Sequence, residues 1–175
     1  MQSEAREGRR TGRVAVDWPT CGREGSDCTG VQVEPFGHCW AHLIAEELGQ
    51  ALGSLGTRSD LDLRGTTLDA RLLKRILSTF RDPNTHKLQL GDTSLENAII
   101  DAAAPFGSAI FNGPAHFFGA EFKDKADFYG AEFKSLRGFN EAEFRYADFE
   151  KAKFTGDAIS FKYVKFRAVQ RNLDT

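Results

Sequence analysis

Residues 120–133 read AEFKDKADFYGAEF, and this stretch decides the fold. Phe122, Phe128 and Phe133 are five or six residues apart, and an alanine lies two places before each of them. Side chains two places apart point to the same side of an extended chain, so each Ala-x-Phe unit gives one small and one large apolar group to a common core. The extended part of each unit is only about three residues long before the chain has to turn.

The same unit continues through the second half of the chain, mostly in steps of five or six residues. The large apolar slots hold Leu90, Leu95, Ile100, Phe106, Phe111, Phe117, Phe122, Phe128, Phe133, Phe139, Phe144, Phe149, Phe154 and Phe166. The corner TGDAISF near residue 155 has one residue too many, so either Ser160 or Phe161 fills the slot between the last two. We therefore predict that the repeat runs from about residue 88 to residue 166.

An α-helix does not fit this pattern. A five-residue step rotates a helix by about 140°, so the phenylalanines would not form one stripe. Gly119 and Gly130 would also lie inside the helix, where each costs about 1 kcal/mol relative to alanine. Four short sides with four corners instead close a square coil of about 20–22 residues, and successive coils stack at about 4.8 Å. The predicted fold class is an all-β solenoid with phenylalanine stacked on phenylalanine along its centre.

The residues before the repeat predict a partial coil and two helices. Residues 53–68 show the repeat spacing at Leu63 and Leu68. Residues 69–81 have apolar side chains at helical spacing, with Asp69 as a capping residue and a proline after the end. We expect this helix to cover the open N-terminal end of the solenoid, because exposed sheet edges invite aggregation. A second short helix is predicted over residues 42–52.

Three regions follow from this reading of the chain. Residues 1–17 are a flexible basic and polar tail. Residues 18–52 are a Cys/His-rich element with a short helix. Residues 53–175 are the β-helix, including the helix at about 69–81. The tail has no apolar core after its arginines, and no run of 18 apolar residues occurs, so neither a secretory signal nor a membrane span is expected. We expect a cytoplasmic protein.

The Cys/His-rich element contains all three cysteines of the chain, and a histidine follows the last of them by three positions. The resulting C-x6-C…C-x2-H set consists of Cys21, Cys28, Cys39 and His42. These are ligand types that zinc binds, and four protein ligands leave no open position, which indicates a structural ion. In a reducing compartment, metal or thiols are favoured over disulfides. The first spacing is looser than usual, so three ordinary thiols are the alternative, and His38 is a competing ligand.

The segments GAEF, ADFYGAEF, EAEFRYADF and KAKF resemble the pentapeptide-repeat family, whose units read roughly Ala-(Asp/Asn)-(Leu/Phe)-x-x. The resemblance covers nearly half of the chain and implies a right-handed quadrilateral β-helix. The alternation of five and six residues, and the cysteine-rich segment before the repeat, resemble a subgroup of actinobacterial members. Proteins of this family often form a homodimer through the C-terminal end of the solenoid, so a homodimer is an expectation here too.

The resemblance and the composition together favour a non-catalytic scaffold that binds another protein along its β faces. Some family members imitate duplex DNA and bind DNA gyrase, which requires a strongly negative rod. Residues 88–166 carry 12 acidic and 9 basic residues, and the chain has a net charge of −2. This mixed charge makes binding to gyrase or another topoisomerase an alternative rather than the leading hypothesis.

Two other function classes are less favoured by the sequence. Nucleic-acid binding by the N-terminal element is suggested by five arginines around the cysteines, but acidic residues dilute them. These arginines are Arg6, Arg9, Arg10, Arg13 and Arg23. Catalysis is not expected, because the sequence has no Ser-His-Asp order, no phosphate-binding glycine loop and no paired carboxylates in a plausible pocket. A solenoid filled with phenylalanine also has no internal cleft for a small-molecule substrate.

Overall fold

The computed structural model of the chain describes residues 16–25, 27–156 and 159–167. Within these ranges the chain forms a 3-10 helix at Trp40–His42, α1 at Ala45–Gly53, α2 at Ala70–Thr79 and twelve β-strands. The strands are β1 (Leu61–Asp62), β2 (Thr67–Leu68), β3 (Gln89–Leu90), β4 (Thr93–Ser94), β5 (Ile99–Ile100), β6 (Ala104–Pro105), β7 (Ile110–His116), β8 (Glu121–Asp127), β9 (Glu132–Gly138), β10 (Glu143–Asp148), β11 (Lys153–Phe154) and β12 (Lys165–Phe166). Most of the predicted tail at 1–17 and the last eight positions of the predicted β-helix lie outside the described residues.

The strands form a parallel β-solenoid of about three turns, as the repeat predicts. Gln89 pairs with Ile110, Ile110 with Glu132, and Glu132 with Lys153, so one turn takes 21 or 22 residues. All of the named strand pairs are parallel, because each strand pairs with the one that lies one turn further along the chain. Backbone hydrogen bonds therefore run along the solenoid axis from coil to coil.

Two positions in each turn of the solenoid have a left-handed backbone conformation. Positive φ angles recur every eleven residues at Asn97 (54°), Ser108 (56°) and Gly119 (61°), and the series continues to Glu141 (59°). Glycine takes this conformation without strain, whereas other residues cost roughly 1 kcal/mol or more there. Turns with and without this conformation thus alternate, as the steps of five and six residues do. Sequence reasoning did not identify the left-handed positions at Asn97, Ser108 and Glu141.

Stacked phenylalanine rings form four columns inside the solenoid. The columns are Phe111–Phe133–Phe154, Phe117–Phe139–Phe161, Phe122–Phe144–Phe166 and Phe106–Phe128–Phe149, with ring centroids 4.5 to 5.8 Å apart. The alanines two places before the rings are fully buried at most positions, which leaves room for the rings beside them. Phe161 stacks on Phe139 at 5.3 Å, so Phe161 rather than Ser160 fills the slot that the sequence left open.

The predicted capping helix is confirmed as α2. The carboxylate of Asp69 accepts a hydrogen bond from the backbone amide of Leu72 at 2.7 Å, which is the expected N-cap contact. Leu73, Ile76 and Leu77 are buried in the same apolar core as the phenylalanines. Thr67 pairs with Ile99, 32 residues later, because the helix is inserted into this first turn. None of the helices in the described ranges has the length and apolar character that crossing a membrane would require.

The second helix starts later than the sequence predicts. Residues 42–52 were expected to be helical, whereas α1 covers Ala45–Gly53 and a separate 3-10 turn covers Trp40–His42. Helix α1 begins after Ile44, whose backbone amide donates to the Glu47 carboxylate at 3.1 Å. The 3-10 turn directs the ring of His42 towards the cysteines, which is a local demand that helical periodicity does not reveal.

The C-terminal end of the described solenoid exposes aromatic side chains. Phe161, Tyr163 and Phe166 have exposed fractions of 44%, 77% and 65%. Among the described strands, β11 pairs only with β9 and β12 pairs only with β10. The last rings of the core therefore stack on one side only.

Candidate metal centre

Two turns in the N-terminal element bring its cysteines together. Thr20 pairs with Val31, and the backbone amide of Cys21 donates to the carbonyl oxygen of Gly30 at 2.7 Å. A second antiparallel bridge joins Val33 to His38 and reverses the chain directly before Cys39. The 3-10 helix that follows then turns the chain once more and places His42 beside the cysteines.

The four residues that the sequence singled out lie together. Cys21, Cys28, Cys39 and His42 each offer one ligand atom, and these atoms all lie within 4.8 Å of one another. Nδ1 of His42 is 3.2 Å from Sγ of Cys21 and 3.4 Å from Sγ of Cys39. Sγ of Cys28 is 3.7 Å from Sγ of Cys39. All three cysteines of the chain are in the described region, and none of them is in a disulfide.

Three of the six distances between these ligand atoms fit the edges of a metal-centred tetrahedron. With zinc–sulfur bonds of about 2.3 Å and zinc–nitrogen bonds of about 2.0–2.1 Å, the edges are about 3.8 Å between two sulfurs and about 3.5 Å between sulfur and nitrogen. The sulfur pair at 3.7 Å has the former length, and the two sulfur–nitrogen contacts are only slightly shorter than the latter. The other three pairs lie within 4.8 Å, so the four ligand atoms are close enough to hold one ion.

The electrostatics of the cluster differ from one thiol to the next. Burial raises the pKa of Cys39 to about 12, and the neighbouring Cys28 adds to the effect. Burial would also raise the pKa of Cys21, but hydrogen bonds from the backbone of Cys39 and Arg23 outweigh it and the pKa is lowered. Burial, together with the charge of Arg23, lowers the pKa of His42 and favours the neutral imidazole. A neutral imidazole is the form that binds a metal ion.

The competing histidine lies outside the cluster. His38 is adjacent to Cys39 in sequence, but it is not among the four residues whose ligand atoms meet. Its Nδ1 atom is buried, and no hydrogen-bond partner for it is found among the described residues. His42 rather than His38 is therefore the histidine that accompanies the thiols.

The element that carries the cluster is bonded to the first coil of the solenoid. Within the element, the indole of Trp18 donates to the carbonyl oxygen of Thr29; across to the coil, the indole of Trp40 donates to that of Asp62, both at 2.9 Å. The backbone amide of Val31 donates to the carbonyl oxygen of Arg64 at 2.8 Å. The guanidinium of Arg64 lies 5.0 Å from the ring centre of Trp18. These contacts connect the cysteines directly to β1 and the turn that follows it.

Two glycines allow this close packing. A Cβ atom on Gly30 would lie 2.6 Å from Cβ of Cys39, and one on Gly65 would lie 2.3 Å from the carbonyl oxygen of Thr29. Gly65 also has a φ of 61°, which disfavours any larger residue. Sequence reasoning did not identify Trp18, Trp40 or Gly65 as parts of this site. The sequence signal that could have identified the tryptophans is their presence in a segment with few other large apolar residues.

The arrangement places four candidate metal ligands close enough to hold one ion, at the junction between the N-terminal element and the solenoid. These are the four residues, Cys21, Cys28, Cys39 and His42, that the spacing of the cysteines singled out. Comparisons of the chain with protein-family models, with curated proteins and with solved structures give no match.

Proposed function

We propose that the protein is a non-catalytic scaffold that binds another protein, and that a structural zinc ion fixes its N-terminal cap. The solenoid is proposed to be a right-handed quadrilateral β-helix of the pentapeptide-repeat type, which the four columns of rings and the 21- or 22-residue turn support. The observation that carries the zinc proposal is the cluster of four ligand atoms on an element bonded to the first coil. The scaffold proposal rests on the repeat and on the exposed tyrosines described below.

Zinc is the ion favoured by the donor set. Three thiolates and one imidazole at tetrahedral distances match structural zinc sites, which have four protein ligands and no exchangeable position. Residues 18–52 bury few large side chains, and small elements of this kind depend on a metal or another cross-link for stability. In such elements the free energy of metal binding becomes free energy of folding. The ion would supply structural stability, and Cys21, Cys28, Cys39 and His42 would hold it.

Exposed tyrosines support the proposal that the solenoid binds a protein. Tyr129 lies in the turn after β8, and Tyr146 lies in β10 beside Lys125 of the neighbouring coil; their exposed fractions are 38% and 55%. Each ring has a lysine ammonium group over it, from Lys151 at 4.8 Å and from Lys125 at 5.9 Å. Tyrosine is enriched at protein interfaces because it offers a large, rigid contact area together with a polar hydroxyl. We call these four residues the tyrosine patch.

Affinity capture from a lysate of the source cells, followed by binding measurements with the purified candidate, tests this use of the tyrosine patch. The baits are the wild type, the double variant Tyr129→Ala/Tyr146→Ala and the control Phe118→Ala, which removes an exposed aromatic ring from another part of the solenoid. We expect one protein to bind the wild type and the control equally, and the double variant about tenfold more weakly or worse. Equal affinity for all three baits would contradict the proposal.

A second copy of the chain is the proposed neighbour at the C-terminal end. Phe161, Tyr163 and Phe166 expose apolar surface there, next to strand edges that have no partner on one side among the described residues. Pairing two such ends would cover the rings and the edges at the same time. This proposal concerns the assembly of the scaffold and is independent of the tyrosine patch.

A further inference from the structure

A groove separates the 3-10 helix and α1 from α2, at the opposite end of the molecule from the exposed rings. Its volume is about 440 Å³. The floor is apolar and is formed by Trp40, Leu43, Leu48 and Leu72. Trp40 and Leu48 are buried, whereas Leu43 and Leu72 are half-buried and present part of their surface to the groove. A space of this size accommodates a few side chains of a ligand.

The rim of the groove on the α2 side is basic. Arg71 and Arg75 line it one helical turn apart, and both are exposed, as is Lys74 between them. No ion pair to any of these three side chains is found among the described residues. Such unpaired cations contrast with Arg167 on the solenoid, which contacts the carboxylates of both Glu121 and Glu143.

Two acidic residues, Asp69 and Asp101, also line the groove. The carboxylate of Asp69 accepts the capping hydrogen bond from the amide of Leu72, and Asp101 is exposed in the repeat that follows β5. Neither carboxylate forms an ion pair with Arg71 or Arg75 among the described residues, so both guanidinium groups are available to a carboxylate of a ligand that also covers the apolar floor.

We propose that this groove is a docking site for a short peptide segment of another protein that carries apolar anchors together with aspartate or glutamate. The apolar anchors would enter between α1 and α2, and the carboxylates would bind the guanidinium groups of Arg71 and Arg75. Arginine binds carboxylates with two parallel hydrogen bonds, which gives this pairing geometric selectivity. Grooves between helices commonly bind amphipathic segments in this manner. A nucleic-acid backbone would meet the cations but would leave the apolar floor without a partner.

The test selects peptides from a random display library against the intact protein and measures the affinity of the enriched peptides by fluorescence anisotropy. Three proteins are compared: the wild type, Arg71→Glu/Arg75→Glu, and the control Lys123→Glu/Arg145→Glu, which makes the same change in charge on exposed positions of β8 and β10. Arg71→Gln/Arg75→Gln is the milder variant, and thermal melting verifies that each protein is folded.

We expect enriched peptides that combine Leu, Ile or Phe with Asp or Glu, and an affinity that falls about tenfold or more in both Arg71/Arg75 variants but changes less than about twofold in the control. Enriched peptides without acidic residues, or equal affinity for the wild type and the Arg71/Arg75 variants, would overturn the proposal. Displacement of the peptides by a short DNA duplex, or loss of a homodimer in Arg71→Glu/Arg75→Glu, would also overturn it, by assigning the groove to a nucleic acid or to a second copy. The tyrosine patch is tested with different variants, so either proposal can fail alone.

Discussion

At the scale of single residues, two neighbouring phenylalanines separate the core of the solenoid from its surface. Phe117 is fully buried and stacks on Phe139 at 4.5 Å, whereas Phe118 is 43% exposed. We predict that Phe117→Ala lowers the free energy of unfolding by about 3–5 kcal/mol, because it removes a ring from a close-packed column and leaves a cavity. Urea denaturation followed by circular dichroism measures the change.

Phe118→Ala is the matched control for this prediction, since it makes the same substitution one position later. Its expected effect is within about 1 kcal/mol, because the side chain loses little burial. A similar destabilisation by the two substitutions would mean that the register of the repeat is wrong by one residue at this corner.

Gly65 tests the close contact between the N-terminal element and the first coil. We predict that Gly65→Ala destabilises the protein, because a Cβ atom would lie 2.3 Å from the carbonyl oxygen of Thr29 and the residue has a φ of 61°. Gly49→Ala in α1 is the control, since a Cβ atom there meets nothing within 4 Å and alanine favours a helix by up to about 1 kcal/mol. Thermal melting should move in opposite directions for the two variants. If neither variant melted at a lower temperature than the wild type, Thr29 would not lie against Gly65.

At the scale of elements, α2 is the cap whose boundaries follow most directly from the sequence. We predict that Asp69→Ala lowers the free energy of unfolding by about 0.5–2 kcal/mol, because the amide of Leu72 loses its acceptor. Asp69→Asn retains an oxygen that can accept the same bond and should cost much less. Chemical denaturation of the three proteins measures the difference, and equal losses in both variants would show that the charge rather than the cap is what matters.

The elements also show where reasoning from the sequence succeeds. The large apolar slots, the alanines beside them and helix α2 were all predictable, because each depends on a period that the residues repeat many times. The grouping of Cys21, Cys28, Cys39 and His42 was predictable because cysteine and histidine are metal-binding residue types in any fold.

What could not be predicted depends on contacts between distant segments. The hydrogen bonds of Trp18 to Thr29 and of Trp40 to Asp62 have no periodic signal, since each occurs once. The later start of α1 depends on the 3-10 turn that carries His42, which local helix propensity does not include. The docking groove likewise exists only because α1 and α2 meet in the folded chain.

At the scale of the whole molecule, the two ends of the solenoid differ in what covers them. The N-terminal end is covered by α2 and the Cys/His element, whereas the C-terminal end exposes Phe166 on an unpaired side of β12 among the described strands. We predict that the wild type is a dimer in sedimentation experiments and that Phe166→Glu makes it a monomer, because a charge at this end would have to be buried without a partner.

The control for the assembly is Tyr146→Glu, which introduces the same charge on the side of the solenoid, at a position that is 55% exposed. This variant should sediment as the wild type does. A monomeric wild type, or a dimer that persists in Phe166→Glu, would contradict assembly through the C-terminal end.

The proposed metal centre involves single ligands, the N-terminal element and its contact with the solenoid. The zinc content of the protein tests it most directly. The protein would be purified without metal-affinity tags, and its zinc measured by elemental analysis beside Cys39→Ser, His42→Ala and the control His38→Ala. We predict one zinc ion per chain in the wild type and in His38→Ala, and loss of the ion together with a lower melting temperature in Cys39→Ser and His42→Ala. A wild type without zinc, or a His42→Ala variant that retains a full equivalent at unchanged stability, would contradict the account.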